Sequence, residues 1–276
     1  MLPSSAENDG VSERPVKGES VELASGTEMP LLGLGTWQAR GRDALEAVRS
    51  ALALGYRHID TATMYGNEEQ VGRAVAESGV PRDEIFVTTK LPPSRAGHER
   101  TTIGESLEAL GLDHVDLWLI HWPPPGGARP DVWERLLDLQ AEGFAREVGV
   151  SNYSMRQIDE LERATGRLPA VNQVEWGPAL FERDVLEAHR SRGVQLEGYS
   201  PLRTTNLRDA RLVQIAEAHH RTPAQVVLRW HIEHRIAAIP KSTHADRIAE
   251  NAEIFDFQLT RAEMAQLDDL GSARRD

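Results

Sequence analysis

The chain has 276 residues, with 43 acidic against 31 basic side chains, a formal net charge of -12 and no cysteine. The missing cysteines exclude a disulfide framework, a thiol nucleophile and any thiolate-held zinc or iron–sulfur cluster. The acidic balance argues against nonspecific binding to nucleic acid or anionic membrane, which needs clustered Lys and Arg, yet leaves a small anionic ligand open.

Hydrophobic residues make up 40% and charged residues 27%, as in an ordinary soluble globular protein. No apolar run approaches the ~18 residues of a membrane span. Residues 1–20 are polar and mixed in charge, without the apolar stretch of a secretory signal. They read as a disordered tail and the chain as cytoplasmic. Residues 21–276 are left as one domain, close to the ~250 residues of a single (β/α)8 barrel.

In chain order, 21–23 and 28–30 flank a Ser25-Gly26 turn and predict a small hairpin. Short runs rich in Val, Ile and Leu then alternate with amphipathic stretches. The expected strands cover 31–36, 56–59, 85–88, 115–120, 147–150, 170–173, 194–197 and 237–239. The expected helices cover 43–54, 68–77, 102–110, 131–142, 155–164 and 182–191, then 209–219 with 223–232, then 246–251. A last helix over 261–270 starts at Thr260 with Glu263 three residues on, a capping box. The strands are nearly continuous apolar runs, as in a buried parallel sheet. Eight strand–helix units predict the α/β class and a TIM barrel with an N-terminal hairpin and extra C-terminal helices. An open doubly wound sheet is the competing arrangement.

Barrel sites are built from strand ends. Here the residues closing the eight strands are Trp37, Asp60, Lys90, His121, Ser151 with Asn152, Gln173, Tyr199 and Lys241, all polar or amphipathic. Four of the first residues converge chemically: Asp60, Tyr65 in the loop after it, Lys90 and His121. Singly, Asp60 reads as a turn cap, Tyr65 as a packed aromatic, Lys90 as a solvated lysine and His121 as a satisfied histidine beside Trp122. Together they make a general-acid site. A tyrosine pKa near 10 is high for proton donation at neutral pH, and a close ammonium lowers it by about 1–3 units. Asp60 supplies the counter-charge that keeps Lys90 cationic, and His121 orients a carbonyl oxygen.

The hydride for such a reaction comes from a cofactor, because no side chain provides one. Gly33-Leu34-Gly35 lacks the third glycine of a dinucleotide fingerprint and reads as a turn into Trp37. Lys241, Ser242 and Thr243 follow the eighth strand, with Arg247, Glu250 and Asn251 in the next helix. Cations and hydroxyls beside a helix N-terminus suit a phosphate; a capped surface helix with ordinary Arg–Glu pairs is the plain alternative.

The chain resembles the aldo-keto reductases. GYRHIDTATMYGNEEQVG at 55–72 is similar to that family's hallmark segment. TTK at 88–90, LIHWP at 119–123, GVSNY at 149–153, NQVEW at 172–176, YSPL at 199–202 and IPKS at 239–242 follow in the family's order. The resemblance spans about 21 to 270. It implies a (β/α)8 barrel holding NADPH/NADP+ across its C-terminal mouth, with Asp60, Tyr65, Lys90 and His121 as the catalytic tetrad and Tyr65 as proton donor. It implies Ser151, Asn152 and Gln173 on the nicotinamide amide and Tyr199 stacked on the ring. Trp37, Ser200, Pro201, Leu202 and Arg203 join the cofactor set, Arg203 at the pyrophosphate. Lys241, Ser242, Thr243 and Arg247 match contacts to the 2′-phosphate, with Glu250 and Asn251 near the adenine. Trp37, Met64, Trp122 and Trp176 are expected to wall an apolar pocket for a small carbonyl substrate, an aldehyde or ketone including dicarbonyls and sugar-derived carbonyls. A monomer is expected.

The sequence departs from the family in places. The loop after YSPL is short, which weakens cofactor clamping or speeds exchange. NQVEWGPALF replaces a more usual histidine-containing segment. The short tail after Leu270 suggests an open pocket of broad specificity. The basic loop LPPSRAGHERTT reads equally as favouring polar or acidic substrates or as plain solvation. A non-catalytic cofactor sensor on the same fold is a second function. A metal-dependent hydrolase is a third, but 231 and 233 point apart on a helix, so His231, Glu233 and His234 read as a solvated helix end.

Overall fold

The computed structural model describes residues 18–271; the expected tail over 1–17 and the last residues, 272–276, lie outside them. Strand β1 (Ser20–Glu22) pairs antiparallel with β2 (Glu28–Pro30). Between them Gly26 adopts φ +92, a conformation an L side chain resists, and its N–H closes the turn onto the Leu23 carbonyl at 2.8 Å. Leu23 and Met29 are buried in the main core. Ser25 and Thr27 donate hydroxyl hydrogen bonds to the Glu147 carboxylate near the start of a barrel strand. The hairpin therefore closes the end of the barrel opposite the site.

Eight parallel strands follow: β3 (Leu34–Gly35), β4 (His58–Asp60), β5 (Phe86–Leu91), β6 (Val115–Ile120), β7 (Ala145–Ser151), β8 (Val171–Glu175), β9 (Gln195–Tyr199) and β10 (Ala237–Ile239). They neighbour one another in sequence order. The first and last meet through the pairs Leu32 with Ala238 and Gly35 with Lys241, which completes the barrel. This seam explains the two early glycines. A Cβ on Gly33 would lie 2.8 Å from the His58 ring, and one on Gly35 would lie 2.8 Å from the Ile239 carbonyl oxygen. They permit the close approach of β3 to β10 rather than a turn or a phosphate loop.

The outer ring is α1 (Gly41–Ala53), α2 (Glu68–Glu77), α3 (Glu99–Leu110), α4 (Pro130–Ala141), α5 (Met155–Thr165), α6 (Arg183–Arg190), α7 (Ala210–Ala218), α8 (Pro223–Glu233), α9 (Ala245–Ala252) and α10 (Arg261–Asp268). Capping boxes begin three of them, at Ser154 with Gln157, Thr222 with Gln225 and Thr260 with Glu263. The apolar strand interiors and the inner helix faces form the main core. A second cluster, around Trp176, Phe181, Trp230 and Leu267, packs α8 and α10 onto the barrel wall. Among the described residues no helix is long and apolar enough to cross a membrane.

His231 corrects the expectation of a solvated helix end. It is fully buried on α8, its Nδ1 2.8 Å from the Val227 carbonyl, with the Gly198 backbone close against its ring. His234 Nε2 bonds Asp268 at 2.7 Å. Added helix α10 covers this end, so the cluster is packing. Among the described residues no set of three or more His, Asp or Glu is arranged to hold a metal ion.

Candidate active site

A cavity of about 380 Å³ opens where the strands end. A larger cleft of about 730 Å³ lies on the outside between α3 and α4, among charged surface side chains such as Arg100, Asp138 and Glu142. The strand-end cavity has the chemistry. Its floor comes from β4, β5 and β8. Lys90 is fully buried, and its Nζ donates to both Asp60 oxygens, at 2.6 and 2.7 Å, and to the Thr61 carbonyl at 2.9 Å. The ammonium thus has three acceptors in a fixed geometry. Gln173 Nε2 donates to Asp60 Oδ2 and to Glu197 Oε2, both at 2.8 Å.

Tyr65 hangs over this floor on a turn of 3₁₀ helix, Thr63–Tyr65. The turn is tied at both sides. Thr63 Oγ1 donates to the Lys90 carbonyl at 2.9 Å, while Asn67 Nδ2 donates to the Thr36 and Ala39 carbonyls, each at 2.9 Å. The Lys90 ammonium sits 5.1 Å from the Tyr65 ring centroid. The His121 ring meets Tyr65 edge-on at 5.6 Å.

Electrostatics sharpen the sequence expectation and reverse one part of it. Burial raises the Tyr65 pKa, and the pull of Lys90 offsets only part of that rise. The net shift is upward, so the phenol keeps its proton across the neutral range. Burial also works against the Lys90 charge, but the Asp60 carboxylate beside it holds its pKa above the ordinary value. His121 is pushed down to about 3 by burial, then by Lys90, so its ring is neutral. Its Nδ1 is buried without a partner among the described residues. A neutral imidazole beside a protonated phenol can offer two hydrogen bonds to one carbonyl oxygen.

The far wall is a linked set. Ser151 Oγ donates to the Gln173 carbonyl at 2.8 Å. Asn152, at φ 63, donates from Nδ2 to the His121 carbonyl at 3.2 Å and accepts from the Tyr199 hydroxyl at 3.0 Å. That bond fixes the Tyr199 ring on the cavity wall. Ser200 and exposed Arg203 also line the cavity, whereas Pro201 is buried and Leu202 packs against the core.

At the rim Lys241 and Arg247 are exposed, and neither forms an ion pair among the described residues. They flank the start of α9, whose first N–H groups have no side-chain cap. Ser242 is buried and its Oγ accepts from the His244 N–H at 3.1 Å, with Thr243 beside it. Glu250 accepts from Thr222 Oγ1 at 2.6 Å and Asn251 is buried on the same helix. Trp37, Met64 and Trp122 stand exposed on the other side of the rim, at 45%, 62% and 48%.

Trp176 is a correction. Strand β8 runs two residues past Gln173 to Glu175, so Gln173 and Glu175 face the cavity and Trp176 turns away. It is buried edge-on to Phe181, at 6.2 Å between ring centroids, in the second core cluster. The basic loop is settled too: Arg95 pairs with Glu105 and Arg100 with Glu142, so those charges are neutralised on the outer surface. Sequence reasoning missed Glu197, His58 and Glu175. The only signal for them was a polar residue interrupting an apolar strand, as in VQLEGY and YRHID.

A model of the Aldo/keto reductase family matches residues 31–272. Morphine 6-dehydrogenase of Pseudomonas putida is 43% identical, the match covering 94% of this chain and 93% of that protein. Glyoxal reductase of Bacillus subtilis (strain 168) is also 43% identical, covering 93% and 94%. The crystal structure of an aldo/keto reductase from Brucella melitensis superposes with a TM-score of 0.88 at 40% identity, covering 92% of this chain and all of that one. The chain belongs to the aldo/keto reductase family, oxidoreductases on a (β/α)8 barrel.

Proposed function

We propose that the protein reduces aldehydes and ketones to alcohols with NADPH, Tyr65 donating the proton. The observation that carries this reading is the buried Lys90 ammonium, held by Asp60 beneath a phenol that keeps its proton. The cavity fits a nicotinamide cofactor on its own residues. Tyr199 presents a ring fixed by Asn152, the Gln173 side-chain oxygen has no partner among the described residues, and Lys241 and Arg247, unpaired among those residues, meet the uncapped start of α9. Bound there, the reduced nicotinamide supplies the hydride.

The remaining work belongs to the chain. Tyr65 O–H and the neutral His121 ring hold the carbonyl oxygen and polarise it. As negative charge develops there, Tyr65 gives up its proton, and the adjacent Lys90 ammonium stabilises the phenolate left behind. Asp60 keeps Lys90 charged and in place. Trp37, Met64 and Trp122 form an apolar wall for the substrate. The relative named for glyoxal supports dicarbonyls, and the one named for morphine supports bulkier substrates, within one open pocket. In this reading Lys241 and Arg247 hold the 2′-phosphate with Ser242 and Thr243, Arg203 meets the pyrophosphate, and Glu250 and Asn251 lie at the adenine. The protein then works as a single-domain cytoplasmic monomer, which size-exclusion chromatography and fractionation check.

One assay tests the reading: loss of NADPH absorbance with a panel of small aldehydes, for the wild type and Tyr65→Phe. The variant should bind NADPH normally and lose turnover by about 10²–10⁴-fold. Equal turnover would remove Tyr65 from the proton step. In the same assay Lys241→Ala with Arg247→Ala should weaken NADPH by about 10–100-fold and barely affect NADH. A similar loss for both cofactors rejects the 2′-phosphate role.

A further inference from the structure

Beneath the catalytic ion pair lies a fully buried carboxyl that the proposed chemistry does not use. Glu197, on β9, points into the barrel. Its Oε2 accepts from Gln173 Nε2 at 2.8 Å, the same nitrogen that donates to Asp60. Its Oε1 is buried with no hydrogen bond among the described residues, and His58 Nε2 lies 3.5 Å from it. His58 Nδ1 lies 3.1 Å from the Pro30 carbonyl, an acceptor only, so Nδ1 carries the ring proton. Nε2 of a neutral His58 is then itself an acceptor, and the Thr88 hydroxyl, 3.3 Å away, is the donor it takes from. Two acceptors face each other unless Glu197 Oε1 carries a proton.

The charge count agrees. Two carboxylates, Asp60 and Glu197, share one ammonium, and Lys90 is committed to both oxygens of Asp60. The groups facing Glu197 are His58 and Asp60 from β4, Lys90 from β5, Tyr65 from the turn above and Gln173 from β8; β10 presents Ala237 in register, and Asp116 acts on His58. Burial first, and the Asp60 charge next, hold the Glu197 carboxyl well above the ordinary carboxylate range. Burial pushes His58 down to about 4, which keeps it neutral.

We propose that Glu197 is a positioning residue that works as a neutral, protonated carboxyl, holding the Gln173 amide nitrogen inward so that the Gln173 side-chain oxygen, Oε1, accepts from the cofactor's carboxamide N–H. With Asp60 on one side and Glu197 on the other, flipping the Gln173 amide would set its oxygen against two carboxyl oxygens. Asp60 alone leaves one amide hydrogen unheld and the side chain free to turn. The positioning role rests on the proposed binding of a nicotinamide cofactor; the protonation does not.

Two measurements decide it. The first needs no cofactor. A carboxyl that keeps its proton in the fold, while the unfolded chain ionises, makes folding less favourable as pH rises above the ordinary carboxylate pKa, until the folded group also ionises. Glu197→Gln cannot ionise, so its melting temperature should gain on the wild type between pH 5 and pH 7.5. A difference that stays flat, or moves the other way, overturns the protonated carboxyl. The second is a fluorescence titration with NADPH. Glu197→Gln can accept from Gln173 and donate to His58, whereas Glu197→Leu can do neither. The Leu variant, its fold checked by circular dichroism, should bind about fivefold more weakly, and the Gln variant should return to within about twofold of the wild type. Equal weakening by both, or none with Leu, overturns the positioning role. A wild type that binds neither NADPH nor NADH takes down the cofactor reading and the positioning role together, while the melting comparison still decides the protonation.

Discussion

The floor of the strand-end cavity is closed on itself, whereas its rim is open. On the floor the Asp60 oxygens, the Lys90 ammonium and the Gln173 amide nitrogen are each matched to a neighbour within 3 Å, and all three side chains are buried. At the rim three large apolar side chains and the cations Lys241 and Arg247 face solvent. The floor therefore carries interactions whose strength comes from burial and whose loss leaves a charge stranded in low dielectric. The rim carries interactions that exist only when a ligand arrives. Substitutions on the floor should strike folding and chemistry together, and those at the rim should strike binding alone.

The largest expected effect is at the floor. Lys90→Met leaves the Asp60 carboxylate buried with only the Gln173 amide as a partner. It should cost about 3–5 kcal/mol in urea denaturation and nearly all carbonyl reduction. Asp60→Leu combined with Lys90→Met should recover most of the stability and none of the turnover, because an apolar pair of similar volume avoids the stranded charge. Recovery of both would reduce Lys90 to a structural counter-ion and erase the distinction between holding the fold and tuning Tyr65.

Below that comes a pH effect on the buried histidines. Burial lowers His58 and His231 to about 4, and burial with Lys90 lowers His121 to about 3. The unfolded chain takes up these protons near pH 6.5 and the folded chain does not. The stabilisation is thus complete above about pH 6.5 and is lost as pH falls toward 4. The urea midpoint should fall over that window, and His231→Gln should fall less steeply. An unchanged slope would exclude His231 from the titration. The same values keep His121 neutral in turnover, so a kinetic limb near pH 6.5 assigned to it would break the picture of a dry floor.

The barrel was legible in the sequence because each strand is a short apolar run followed by a helix with a clear apolar face. Strands β2, β6 and β10 and helix α2 match their expected bounds, and the others differ by a few residues at their ends. The cavity was legible for a related reason: the residue after each apolar run is where a parallel strand leaves the barrel, so polar residues there converge. What stayed hidden depends on side-chain direction and burial. The extra turn of alternation in β8 swapped Glu175 for Trp176 at the wall. Glu197 and His58 face inward from strand interiors and find each other only across the barrel. The net rise of the Tyr65 pKa is a balance between burial and Lys90, and only the folded burial fixes its sign. His231 looked solvated because the Gly198 backbone it packs against, on β9, and Asp268 of α10, which holds its neighbours Trp230 and His234, lie far from it along the chain.

The smallest expected effect belongs to the apolar rim and tests it most selectively. Trp122 follows His121 directly, yet it is 48% exposed and packs on no core cluster. Removing it should leave folding stability within about 0.5 kcal/mol, as for other surface positions. Its value lies in the area a bound substrate covers, at about 25 cal/mol per Å². An aromatic aldehyde covers more of the indole than glyoxal does. Trp122→Ala should therefore raise KM for the aromatic substrate by about five- to tenfold and leave kcat almost unchanged, while glyoxal should respond by less than about twofold. A drop in kcat for both substrates would place Trp122 with His121 in orienting the carbonyl, and the boundary between floor and rim would then run through the Trp122 side chain rather than beneath it.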